Sequence, residues 1–159
     1  MENNKFLKLH SFLRYGAALI AIIVFISMFA GSEIVHDDFS NAKFNWAEVY
    51  FGGDANKATL FGFIGYLFIL LGGLASLAFV FVDELIGKDL TKKIAFACGA
   101  AMIVGGIFIL LTGVFFRAFN DGFGIEKFHL SAKAIVFGIL GLVAGAAAFA
   151  APILEDKGL

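Results

Sequence analysis

Residues 58–82, ATLFGFIGYLFILLGGLASLAFVFV, carry no charged side chain and are apolar around almost the whole circumference of a helix. A helix crosses the ~30 Å hydrocarbon core of a bilayer with about 20 such residues. Lipid offers no partner to a backbone amide, so the segment must bond its own, which a helix does. Ala58 to Val82 therefore reads as a transmembrane span. Three further runs of this kind flank it: Tyr15 to Gly31, Ile94 to Phe116 and Ser131 to Leu154. The expected fold is an all-α membrane protein, a four-transmembrane-helix bundle.

The bulk composition agrees. Of the 159 residues 60% are hydrophobic and the mean hydropathy is +0.91, against about 45–50% apolar residues in soluble domains. The longest connection, Ser32 to Lys57, is too short to bury a core of its own, so residues 1–159 are expected to form a single domain. The formal net charge of -1, with lysines interspersed among acids, argues against nucleic acid as a partner. Cys98, the single cysteine, excludes an intrachain disulfide and a thiol-redox pair. Basic Lys5, Lys8 and Arg14 precede the first run as in a secretory leader. Met28 or Phe29 occupies the position where cleavage needs a small residue, so this run is expected to be retained as a helix.

Lys and Arg favour the cytoplasmic side of short loops. One side of the bundle carries Lys5, Lys8, Arg14, Lys88, Lys92, Lys93 and Lys157, the other Lys43, Lys57, Arg117, Lys127 and Lys133. This bias predicts both termini inside and the Ser32 to Lys57 loop outside. Lys57, Arg117 and Lys133 sit at run ends, where long stems can carry a charge to the interface.

Helices gain no hydrophobic energy by associating in lipid, so small residues that admit close backbone approach mark the contact faces. Gly72 and Ser76 have that spacing in the second run, Ala97, Ala101 and Gly105 in the third. Ala134 with Gly138 and Gly141 with Gly145 repeat it in the fourth. Such rows suit packing within one subunit or between subunits. The 21 phenylalanines suit lipid-facing surfaces and the glycine grooves. No ionisable group lies at mid-depth, which argues against a proton-coupled carrier, and no histidine lies there to hold haem.

In the outer loop, Ala42 to Phe51 alternates as a strand does, with Phe44, Trp46, Glu48 and Tyr50 on one face. A short strand or hairpin across the outer mouth is the expectation. Phe44, Trp46, Tyr50 and Phe51 are the candidate contact residues of this loop. Four spans with a longer, strand-forming first outer loop resemble the claudin-like tetraspan plan. The resemblance is one of layout, since the loop lacks that family's paired cysteines, and no residue role is carried over.

Glu126 and His129 form an E-x-x-H pair, whose three-residue spacing puts both on one face of a helix, as in di-metal carboxylate bundles. Together with His36 and Asp37 of the other outer loop they are the candidate metal ligands, suited to Zn, Fe or Mn. No catalytic motif and no cofactor signature is present, and a structural lipid is compatible with the grooves. The leading expectation is a non-enzymatic structural or accessory subunit of a membrane assembly, its partners being lipids and other membrane-protein subunits or further copies of itself. A small oligomeric channel or carrier, lined by hydroxyls such as Ser76 and Thr112, is the alternative. A membrane enzyme with a metal site at the outer surface is the third reading.

Overall fold

The computed structural model describes residues 8–31, 33–37, 41–54, 56–120 and 128–158, with the backbone alone for residues 83–86. Four long helices, α1 (Leu9–Phe29), α3 (Leu60–Ile86), α4 (Lys88–Leu110) and α6 (Ala132–Asp156), are each long and apolar enough to cross a membrane. The protein is a small multi-pass integral membrane protein built as a four-helix bundle. Around the bundle the order is α1, α3, α4, α6, with α6 closing against α1.

The connections explain this order. Gly87 alone joins α3 to α4, at φ +91°, a left-handed conformation in which a side chain would be strained. So short a link forces the two helices into an antiparallel hairpin. At the other end, Gly31 follows α1 at φ +148°. There the Lys133 ammonium comes across from α6 and donates to the Ala30 carbonyl oxygen at 2.8 Å. Cations favour helix C-termini, where carbonyls lack intrahelical partners. Lys133, expected to reach for the membrane surface, instead ties the end of α1 to the start of α6.

The third apolar run differs from its expected form. It begins earlier, at Lys88, and breaks at Leu111 (φ -88°, ψ 0°), after which α5 (Thr112–Phe119) resumes. The Thr112 hydroxyl donates back to the Phe108 carbonyl oxygen at 3.1 Å, a bond that bends helices.

A three-stranded antiparallel sheet, ordered β2-β1-β3, covers this end of the bundle: β1 is Val35–Asp37, β2 Lys43–Phe44 and β3 Phe128–Leu130. The strand expected over residues 42–51 is much shorter. After Phe44 the chain turns into the helix α2 (Trp46–Phe51), because Asn45 makes a capping box with Glu48. The Asn45 side chain accepts from the Ala47 and Glu48 amides at 2.9 and 3.1 Å, and the Asn45 backbone N–H donates to Glu48 Oε2 at 2.8 Å. This reciprocal bonding starts a helix more firmly than alternation starts a strand. Trp46, Glu48 and Tyr50 consequently do not share a strand face with Phe44.

His129 likewise lies on β3, not on a helix, so the helical geometry expected of the E-x-x-H pair does not form there. Glu126 is outside the described residues. Helix α6 starts later, with the Ser131 hydroxyl accepting from the Ala134 amide at 3.2 Å as its cap.

Candidate functional site

Strand alternation divides the sheet into two faces. Val35, Asp37 and Phe44 are buried against the bundle, at 0%, 1% and 8% exposure. His36, Lys43 and His129 point to the opposite face. The register sets Lys43 opposite His36 and His36 opposite His129, so the three form one cross-strand row. Glu33 stands beside it, with its carboxylate oxygens 3.3 Å from the Lys43 ammonium and 3.7 Å from His36 Nδ1. Of the candidate metal ligands, His36 and His129 are thus brought together, whereas Asp37 lies on the other face. Among the described residues no three His, Cys, Asp or Glu side chains converge as a metal-binding group.

Beneath the sheet, Phe44, Phe116 and Phe128 pack as a trio, with ring centroids 4.8 to 5.9 Å apart. Trp46 lies edge-on to Phe29 at 4.9 Å and binds α2 to the end of α1. Tyr50 is fully buried on the inner side of α2. Of the four residues expected as loop contacts, Phe44 and Tyr50 are therefore core residues, while Phe51 is 52% exposed.

Tyr50 enters a cluster of hydroxyls with Thr59, Tyr66 and Thr112, all at 0% exposure. Thr59, Gly62 and Tyr66 follow one another at helical spacing along the start of α3. A Cβ at Gly62 would fall within 2.5 Å of the Tyr50 ring, so the missing side chain is what admits it. The hydroxyls of Tyr50, Thr59 and Tyr66 are buried without a hydrogen bond of good geometry, although the Tyr50 hydroxyl faces those of Tyr66 and Thr112. Burial, reinforced by the neighbouring Tyr66, pushes the Tyr50 hydroxyl well above the usual tyrosine pKa. Asn120, 1% exposed, caps the end of α5. It accepts from the Lys57 amide at 2.6 Å and donates to the Phe116 carbonyl oxygen at 2.9 Å.

The small-residue rows lie largely between helices of the same chain. An added Cβ at Gly105 would stand 2.5 Å from the Gly65 carbonyl oxygen, and one at Gly72 would stand 2.9 Å from that of Cys98. On α6, a Cβ at Gly145 would reach 2.8 Å from the Ile103 amide and one at Gly138 would reach 2.6 Å from Leu110. Gly141 faces Ile69 and the Gly106 backbone, while Ala134 and Ser76 are buried at 0% and 2%. Ala97 and Ala101 lie elsewhere. With Phe68, Leu71, Gly72 and Ala75 they line an open apolar groove of about 330 Å³ on the outer side of the α3–α4 seam. Backbone contact at the glycines sets α3 and α4 so close that the short side chains flanking the seam leave this depression.

The opposite end, which holds the described ends of the chain, contains the feature that sequence reading missed. Arg14, expected on the basic flank of the first helix, lies inside α1 and is 1% exposed. Its guanidinium donates to Glu155 Oε2 at 2.7 Å, joining α1 to the end of α6. Lys92 pairs with Asp156 nearby, joining α4 to the same helix end. Between these helices opens a pocket of about 300 Å³ lined by Lys88, Asp89, Thr91, Lys92, Glu155 and Asp156. The signal was present in the sequence: His10, Arg14, Ala17, Ala21, Val24 and Met28 follow the 3.6-residue period of one buried face. No protein-family model, no curated protein and no solved structure matches the chain.

Proposed function

We propose that this chain is a non-enzymatic accessory subunit of a membrane assembly, which works by presenting its lipid-facing surface to other membrane-spanning helices. The close seams of the bundle carry this reading. Gly65 meets Gly105, Gly99 meets the Phe149 backbone and Gly106 meets the Gly138 carbonyl oxygen, so the interior is occupied by main chain in contact with main chain. Such seams favour a rigid element over a solute path. Thr112, a hydroxyl that a pore would use, is engaged with Phe108 of its own chain.

Contact with partners then falls to the outside of the bundle. The groove between α3 and α4, with Ala97 and Ala101 on one wall, has the small-residue lining that lets a neighbouring helix come close. The Lys and Arg bias places both termini on the cytoplasmic side in this proposal, and the sheet on the outer side.

Site-specific photo-crosslinking at Ala97, which is exposed, tests it in native membranes. A discrete crosslinked band, lost when Ala101→Leu fills the groove, is the expected result. Crosslinking to lipid alone, with the gently extracted chain running as a monomer, would overturn the proposal. So would specific solute flux by the purified chain in vesicles.

A further inference from the structure

We infer that the pocket between the first turns of α4 and the last turn of α6 binds a glycerophospholipid whose headgroup carries a phosphate and a primary ammonium together, an ethanolamine phospholipid. Both helices are long and apolar enough to span the membrane, and the pocket lies where one begins and the other ends, which is headgroup depth. It encloses about 300 Å³, with Lys88, Asp89 and Lys92 on the α4 wall and Glu155 and Asp156 on the α6 wall.

The signs of these charges point to the ligand. A helix is partially positive at its N-terminus and partially negative at its C-terminus, so acids suit the first and bases the second. Helix α4 instead opens on Lys88, with Lys92 one turn on, and only Asp89 offsets them there. Helix α6 closes on Glu155 and Asp156 with no basic residue in its last turn. Side chains on both walls thus reinforce the helix end that bears them, a departure from local preference of the kind expected at functional sites. With Arg14 set against Glu155 from α1 at 2.7 Å, the two lysines balance the two aspartates. A pocket that is positive on one wall, negative on the other and neutral in sum suits a ligand carrying both charges.

The groups for each half of that ligand are in place. Among the described residues the Lys88 side chain has no ion pair or hydrogen bond, and no side chain caps the start of α4. Ammonium and free helix amides together are a phosphate site. On the other wall Arg14 occupies only Oε2 of Glu155 and Lys92 only Oδ2 of Asp156, which leaves Oε1 and Oδ1 to accept from an ammonium. Choline has no N–H to donate, and a glycerol headgroup has no positive charge for these carboxylates. One turn farther along each helix, Phe96 and Phe149 close the same seam with ring centroids 4.9 Å apart. Their apolar surface continues from the pocket into the span, where the acyl chains run.

The full-length chain in detergent is offered equal amounts of ethanolamine, choline and glycerol phospholipids with the same acyl chains, and retained lipid is read by native mass spectrometry. The ethanolamine lipid should be retained about tenfold over either competitor, the worth of one charge-assisted hydrogen bond. Lys88→Gln should lower that retention by a similar factor. Asp156→Asn, which removes an acceptor and leaves Lys92 unpaired, should turn the preference toward the anionic glycerol lipid. Both side chains are exposed, so the bundle tolerates their replacement. Soluble phosphoethanolamine at the same concentration should not displace the lipid. Equal retention of the three lipids, or a preference that survives both replacements, would overturn the site. Displacement by the soluble headgroup would overturn the lipid as its occupant.

Discussion

The two ends of the bundle are fastened by different chemistry. At the end with the described termini, charges do the work: Arg14 to Glu155 and Lys92 to Asp156 each join a helix to the last turns of α6. At the sheet end, the ties between elements are mainly backbone hydrogen bonds and aromatic edges, with Asn120 and Lys133 binding carbonyls and amides, while the Lys43–Glu33 ion pair stays on the outer face of the sheet. The difference teaches where electrostatics can be afforded in such a fold. A guanidinium can be buried beside a carboxylate that is itself one-third exposed, because water still reaches the acid and the pair need not be wholly desolvated. The hydroxyl cluster has no charge to satisfy and is sealed completely.

The sharpest way to break this contrast is to remove one member of the charged pair. Glu155→Ala leaves the Arg14 guanidinium at 2% side-chain exposure without its carboxylate. Breaking a buried pair in this way costs about 3–5 kcal/mol, and Glu155→Gln, which keeps an acceptor for Nη2, should cost less. Unfolding of the purified chain in mixed micelles measures both. If Glu155→Ala and Glu155→Gln lose the same small amount, the pair does not hold α1 to α6.

Between the ends, the seams give a second contrast. A Cβ at Gly99 would stand 2.7 Å from the Phe149 amide nitrogen, where only main chain could yield, whereas one at Gly16 meets nothing within 4 Å. Gly99→Ala should therefore destabilise by about 1–3 kcal/mol, in the range of overpacked cores. Gly16→Ala, in the interior of α1, should stabilise by about 0.4–1 kcal/mol through the reduced freedom of the unfolded chain. Equal effects at the two positions would mean that the α4–α6 seam is looser than its geometry.

The four spans were legible because charge-free runs of this length have one stable form in lipid. The cap was legible in part. Alternation from Ala42 to Phe51 pointed to a strand, but it competed with the Asn45 and Glu48 capping box, which is local and stronger, and that box was readable as N-x-x-E. Pairing of β1 with β3 was not legible at all, because it joins segments on either side of four helices, α2 to α5, and is set by how those helices close. His36 and His129 could be named as ligand types, but only the register made them neighbours. Arg14 was misread for a different reason. A charge near a span end usually marks the water side, and only the helical period of its apolar neighbours showed that it faces the core.

The smallest effect concerns the hydroxyl cluster of the sheet end and appears only in alkali. Tyr50 keeps its proton in the folded chain to a higher pH than in the unfolded one, since burial and the nearby Tyr66 oppose its ionisation. Below about pH 10 both states carry the proton and the group adds no pH dependence. Above that, the unfolded chain releases the proton while the folded chain retains it, so stability falls as pH rises, by up to about 1.4 kcal/mol per unit until the folded pKa is reached. Tyr50→Phe removes this slope. At neutral pH the replacement should be neutral to slightly stabilising, because the hydroxyl is buried without a well-formed hydrogen bond and its removal relieves desolvation. Unfolding of both chains between pH 8 and 11 should give curves with a constant, small offset at the low end that separate further above about pH 10, the wild type falling faster. Curves that stay parallel would mean that the Tyr50 hydroxyl is reached by water, and that the sheet end is no drier than the charged end it is contrasted with.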